Sequence, residues 1–354
     1  MTSTVSSTRP QSETVVPASA GTVAVIACLT TCLAVASVYI MQPVLAELAS
    51  RFDISGTDAR LAFSVVSIAY ALAFFFLGPL SDRVEPRTMA MVGLLAAAIA
   101  VGLGSLIGVY EHLLILLAVQ GAFAAMVPAA MFALVPRIAP KERMGTYFGF
   151  VIAASVVGIT LGRSSMGLMT AKWGLSSAMQ VCGLALVLAA AFNQLLPISA
   201  RSDTTKVTVR QAYGNALRML AAGRLLRLFG IGFLLFFGYL GMLTFLTLRL
   251  HQAPFMFDSA AIGSVSLLGL SALFGAPLSG RLVARIGSLP VALGGLFIVM
   301  AAIVCLALAR TELVLIAGLF LLFLGVFSCR GTADIRAKTG LSVPLLTLSS
   351  LNLQ

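Results

Sequence analysis

Gly78-Pro79-Leu80-Ser81-Asp82-Arg83-Val84-Glu85-Pro86-Arg87 closes one long apolar stretch and opens the next. Its central string returns later as Pro277-Leu278-Ser279-Gly280-Arg281, with Arg83 and Arg281 standing 198 residues apart. Each copy ends a segment long enough to cross a bilayer. Each is followed by a short basic turn, with Arg87 in one and Arg285 in the other, and then by another apolar segment. A bundle of membrane-spanning helices built twice explains this arrangement, and a water-soluble enzyme does not.

Composition agrees. The chain is 60% hydrophobic and 10% charged, with a mean hydropathy of +1.05, whereas a soluble domain carries about 25% charged residues. Such a chain cannot solvate its surface in water, so lipid is its main solvent. The net charge of +11 does not mark a nucleic-acid partner, because the basic residues sit in short turns between apolar segments. The five cysteines, Cys28, Cys32, Cys182, Cys305 and Cys329, show no CxxC or Cys/His ligand spacing. They read as small hydrophobic filler, and no metal site or cofactor is expected.

Residues 1–21 are rich in Ser, Thr and Pro and read as a disordered tail without signal-peptide character. Ten candidate spans follow, at about 22–46, 60–80, 88–108, 113–135, 145–168, 176–197, 228–250, 259–280, 288–309 and 313–328. Each is near the ~20 residues that cross the hydrocarbon. The longest polar interruption, 198–227, separates a six-span set (22–197) from a four-span set (228–328) and reads as a connector. With the N-terminus inside, 17 Lys and Arg fall in inner segments and five in outer ones, namely Arg51, Arg60, Lys172, Arg249 and Arg310. That bias predicts an N-terminus in the cytoplasm and both copies of the repeated string on the cytoplasmic side.

The repeat also sets an expected length. Matching the first set would carry the second to about residue 395, and the sequence stops at 354. The stretch 329–354 turns polar after Cys329 and ends in a short segment interrupted by Pro344. The expectation is a two-fold bundle lacking its last two helices, or one whose reading frame changes near Cys329.

The 78–87 turn resembles the loop between helices 2 and 3 of the major facilitator superfamily, whose pattern is G-x-L-x-D-R-x-G-R-R. Here Glu85 replaces the second glycine and Pro86 a common basic residue. The resemblance covers about residues 22–328. Tyr39-Ile-Met-Gln42-Pro43, Gln120-Gly121 and Gly158-Ile-Thr-Leu-Gly162-Arg163 look most like bacterial inner-membrane efflux members of its drug:proton antiporter branch. The usual Gly-Pro pair of the fifth helix is missing, and Leu117 stands where a related motif in helix 4 carries arginine. The resemblance implies an all-α, two-bundle fold, a central cavity bordered by helices 1 and 4, alternating access, and a monomer. Internal repeats of this kind are also typical of secondary transporters.

The site residues follow from both readings. Gly78, Asp82, Arg83 and Arg87 form a latch between the two halves in the family; the plain alternative is a topogenic basic turn. Arg163 is a charge inside a span, which costs at least ~2.5 kcal/mol on insertion scales. It either faces a cavity or partner, or snorkels to the nearby interface. Gly158, Gly162 and Gly167 allow close helix approach. Gln42 and Gln120 place amides in spans, where they bind substrate or cross-link helices. Tyr39, Tyr70 and Tyr239 read first as packing residues with satisfied hydroxyls and second as substrate contacts. Asn193 and Gln194 are expected at the interface.

All twelve acids fall in tails, turns or span ends. Glu47 and Asp82 are the nearest candidates for a proton site, so proton coupling is implied by the resemblance and not by a mid-membrane carboxylate. No Walker A loop, catalytic triad or metal cluster is written in the chain, which argues against an ATP-driven pump or an enzyme. The expected task is export of a small organic solute across a bacterial inner membrane, driven by proton entry. The alternatives are a facilitator importing a nutrient and a non-transporting membrane protein.

Overall fold

The computed structural model describes residues 20–81, 83–139, 144–196, 211, 213–214, 223–271, 282, 285–286 and 288–340. Asp82, the second string at 277–281, nearly all of the 1–21 tail and most of the 198–227 connector lie outside the described residues. The described residues form helices and turns with no strand among them. Apolar segments in lipid must satisfy every backbone N–H and C=O internally, and a helix does this within one segment.

The first half contains α1 (Ala20–Val38), α2 (Leu45–Phe52), α3 (Gly56–Ser81), α4 (Pro86–Gly104), α5 (Tyr110–Ala124), α6 (Met126–Ile138) and α7 (Met144–Asn193). The second contains α8 (Gly223–Leu250), α9 (Ser259–Ser266), α10 (Ser288–Leu308) and α11 (Glu312–Gly340). A short 3-10 turn, Gln42–Val44, links α1 to α2, and another, Leu267–Ser271, continues α9.

Four departures from the expected spans have local causes. The first span is broken at 39–44, where Pro43 has no N–H and its ring would meet the carbonyl of Tyr39. The fourth is interrupted at Ala125, one helical turn before Pro128, for the same reason. The fifth and sixth are one 50-residue helix by hydrogen bonding. At 1.5 Å per residue that helix would run about 75 Å, far beyond the ~30 Å hydrocarbon. Gly174, with φ 80° and ψ 161°, turns it into two spans at the predicted place. Only glycine holds that backbone without strain. Finally, α11 continues to Gly340, past the expected end at 328. Residues 329–340 contain no proline and extend a helix that is already nucleated.

Two buried cores form. One gathers Leu45, Leu94, Leu113, Met131, Met166 and Leu186 from the first half. The other gathers Tyr239, Leu243, Leu306, Leu319 and Phe323, with Val156 of α7 reaching into it. Large apolar side chains such as Leu72, Phe76, Ile99, Leu184, Phe237 and Phe297 stand exposed around the outside. An apolar exterior of that extent suits lipid.

The sequence repeat has a structural counterpart inside the described residues. Arg51, at the end of α2, donates to the carbonyls of Ser105 (3.1 Å) and Ile107 (3.0 Å) beyond α4. Arg249, at the end of α8, donates to the carbonyls of Leu306 (2.9 Å) and Ala309 (3.2 Å) at the end of α10. Each guanidinium meets the orphan carbonyls of a helix C-terminus, where positive charge is favoured.

Candidate functional site between the two halves

The halves meet mainly through α7, which packs against α9 and the 267–271 turn as well as against α1 and α4. Glycines set this approach. A Cβ on Gly158 would strike the Cys32 carbonyl, and one on Gly162 the Ala36 carbonyl, so both seat α7 on α1. A Cβ on Gly167 would strike the Ser259 carbonyl, and one on Gly263 would sit 2.8 Å from the Ser164 carbonyl oxygen. Gly167 and Gly263 therefore let α7 and α9 touch backbone to backbone between the halves. Gly263 is the partner that sequence reasoning missed; its signal was its place four residues after Ser259, near the start of a predicted span.

Polar contacts join the same region. Gln42 is fully buried and donates through Nε2 to Thr244 Oγ1 of α8 at 2.8 Å. Thr244 Oγ1 in turn donates to the Leu240 carbonyl at 2.9 Å. The Arg60 guanidinium lies 4.7 Å from the ring centroid of Phe245. Gln120, also fully buried, donates through Nε2 to the Ser37 carbonyl at 2.5 Å. Both amides thus cross-link helices, and both Oε1 atoms are enclosed without a hydrogen-bond partner among the described residues.

Arg163 does not snorkel. It is 5% exposed and enters a cleft lined by Leu243, Thr247, Ile262, Ser266 and Phe323 of the opposite half. The cleft leaves room for about one water molecule. The titratable groups beside Arg163 are the phenols of Tyr239 and Tyr39, one from each half, and no carboxylate of the described residues is among them. Its Nε has no hydrogen-bond partner among the described residues, and neither does the buried Ser164 Oγ beside it. Tyr39 also stacks at a tilt on Phe63, and Tyr239 meets Phe323 edge-on. Tyr70 stacks on Phe74, as its packing reading expects.

A second group lies beyond α8. Glu47 of α2 has Oε2 enclosed without a partner among the described residues and feels the charge of Asp258, the N-cap of α9. Asp258 accepts from Ala261 N at 2.8 Å. His251, in the turn after α8, is half-buried, and desolvation lowers its pKa from the ordinary 6.5 despite the opposing pull of the Phe257 backbone and Asp258.

In the 78–87 turn, expected as a latch, Glu85 and Arg87 make contacts within the first half. Asp82 lies outside the described residues. Gly78 is exposed, and a Cβ there would meet nothing within 4 Å. Arg83 is half-buried, and its N–H donates to the Leu80 carbonyl at 3.0 Å. Arg87 donates to Gln194 Oε1 (2.6 Å) and the Leu196 carbonyl (3.2 Å), both at the end of α7 in its own half. Asn193, expected at the interface, is instead fully buried and donates to the Arg87 carbonyl at 2.8 Å. Glu85 caps α4, accepting from Arg87 N (3.1 Å) and Thr88 N (2.6 Å). The sequence signal for that cap was an acid directly before Pro86 at the first helical position.

The family model of the Major Facilitator Superfamily matches residues 27–334. The chain belongs to the major facilitator superfamily. It is a multi-pass membrane protein with that superfamily's all-helical fold. It is 25% identical over 260 residues to the inner membrane transport protein YnfM of Escherichia coli K12, covering 73% of this chain and 62% of that one. An uncharacterized transporter of Buchnera aphidicola (Schizaphis graminum strain) is 25% identical over 247 residues, covering 69% of this chain and 60% of the relative. The chain thus spans about 60% of the length of these relatives. A bacterial homologue of the human lysosomal transporter Spinster, in an inward-facing and unoccupied conformation, superposes with a TM-score of 0.73 at 17% identity, covering 92% of this chain and 76% of that one. A point mutant of the nucleoside transporter NupG gives 0.73 at 12% identity, covering 91% and 83%.

Proposed function

We propose that this major facilitator protein is a secondary carrier that exports a small organic solute across a bacterial inner membrane by alternating access, in exchange for protons. The observation that carries the reading is the seam between the halves. Gln42–Thr244, Gly167–Ser259 and Arg60–Phe245 join the halves at the end remote from the 78–87 turn. A seam of weak polar bonds and bare glycine backbone holds the halves together and releases them at small cost, as rocking requires. The cytoplasmic placing of the N-terminus and of the 78–87 turn rests on the distribution of Lys and Arg.

Proton exchange is supported by Glu47. Among the described residues it is the one carboxylate of the first half with an enclosed, unpartnered oxygen, and the Asp258 carboxylate of the other half is near enough to act on it. Burial, the largest influence on Glu47, and the like charge of Asp258 both favour its protonated form. In this reading closure takes up a proton at Glu47 and opening releases it.

The test is reconstitution of the 354-residue chain in liposomes holding a pH-sensitive dye. A panel of anionic, neutral and cationic solutes is added under an imposed pH gradient. Solute movement that collapses with a protonophore supports the carrier as proposed. Movement down a solute gradient that ignores the protonophore identifies a facilitator. Absence of movement for every solute refutes the transport reading.

A further inference from the structure

We propose that Arg163 is the recognition point for an organic carboxylate with an apolar body, which is the substrate class of the carrier proposed above and rests on that reading. The guanidinium is 5% exposed, and Nε has no partner among the described residues. It stands in a cleft beside two neutral phenols, Tyr239 and Tyr39, with no acid of the described residues among the titratable groups that act on it. A cation in a span with no carboxylate of the described residues beside it is costly and marks function.

Two hydroxyls of the lining donate to their own helices and bring no formal charge. Thr247 Oγ1 donates to the Leu243 carbonyl and Ser266 Oγ to the Ile262 carbonyl, both at 2.9 Å on their own helices. The cleft therefore offers positive charge and N–H donors, and the described residues that line it hold no formal negative charge to answer them. The complement is an anion rich in acceptors. A planar guanidinium matches a carboxylate by paired hydrogen bonds, which an ammonium cannot do. The rest of the lining is apolar, Leu243, Leu246, Leu250 and Phe323 among it, which asks for an apolar body behind the charged head. Strongly cationic solutes are repelled.

The cleft is too tight for such a solute as it stands. Arg163 comes from the first half and its lining from the second, so separating the halves widens the cleft without changing either wall. Binding is thereby tied to the motion of the carrier.

The test uses the full chain in detergent and three phenyl compounds of different charge, benzoate, benzamide and benzylamine, at matched ionic strength. Thermal unfolding is followed against ligand concentration, since a ligand of the folded state raises the midpoint. The expected result is a rise with benzoate alone, weakened at least about tenfold by Arg163→Gln, as loss of a hydrogen bond to a charged group implies. Arg163→Lys keeps part of the effect. Equal response to benzamide or benzylamine, an unchanged benzoate response in Arg163→Gln, or no response to any member overturns the proposal. The charge series on the unaltered chain decides even where a variant fails to fold. Benzoate binding without flux of any solute removes the carrier reading and leaves the site. Flux of neutral or cationic solutes without benzoate binding removes the site and leaves the carrier.

Discussion

Arg51 and Arg249 perform the same task 198 positions apart. Each reaches from the end of one helix to bare carbonyls at the end of another, α4 for Arg51 and α10 for Arg249. Their spacing equals that of Arg83 and Arg281. Two independent pairs with one offset make the duplication a property of the packed structure as well as of the text.

That pairing predicts equal and independent contributions. Arg51→Gln and Arg249→Gln should each lose roughly 1 kcal/mol, the scale of a partly exposed cation at a helix C-terminus. The two sites sit in different halves and share no partner, so the double variant should lose the sum. Lysine should restore only part at either position, because it cannot bond several carbonyls at once. Thermal or denaturant unfolding of the four proteins in one detergent checks this. A double variant no worse than either single one would mean that the two halves do not contribute independently.

The glycines of α7 divide into two kinds. Gly162 lies on the Ala36 backbone within the first half, and Gly167 on the Ser259 backbone between halves. Gly162→Ala should therefore lower stability by about 1–3 kcal/mol, the usual cost of forcing an extra carbon into a packed contact. Gly167→Ala should leave the first half intact and push the halves apart. Spin-label distances across the seam, between α2 and the 251–257 turn, should lengthen for Gly167→Ala with little loss of melting temperature. Gly149, which has nothing within 4 Å of a built Cβ, is the neutral control. Identical behaviour of the two variants would remove the distinction.

Much of this architecture was legible in the sequence because lipid imposes one rule on every span. Length, hydropathy and the repeated string placed ten spans, and the long described helices overlap them, while α2 (Leu45–Phe52) lies mostly between the first two. The bends at Pro43, Pro128 and Gly174 were written in the chain too, but hydropathy averages over such single residues. The site was legible as a set of residue types: Arg163, Gln42 and Gly167 stand out for being costly or small in a span. Their partners do not, since Thr244, Ser259 and Gly263 are ordinary residues for a membrane helix. Arg51 and Arg249 read only as outer-side charges, because which carbonyls a long side chain reaches is decided by packing. Glu85 reads as a departure from a motif, whereas its carboxylate caps α4.

His251 gives a pH dependence with a definite sign. It lies in the turn after α8, half-buried, with Nε2 enclosed and unpartnered among the described residues. Desolvation is the largest influence and disfavours its charged form, so its pKa in the folded protein is below 6.5. In the unfolded chain it titrates near the ordinary value. On acidification through 6.5 the unfolded chain therefore binds the proton first, and folding stability falls. The stabilising effect of holding the neutral form is complete above the unfolded pKa and is lost as pH drops toward the folded one. The nearby Asp258 carboxylate opposes the shift and limits its size. The expected outcome is a melting temperature that declines between about pH 7 and pH 5 more steeply in the unaltered chain than in His251→Gln, with the two curves converging in slope above about pH 7.5. Parallel curves over the whole range would show that His251 is solvated in the folded protein, and the closed turn around it would have to be abandoned.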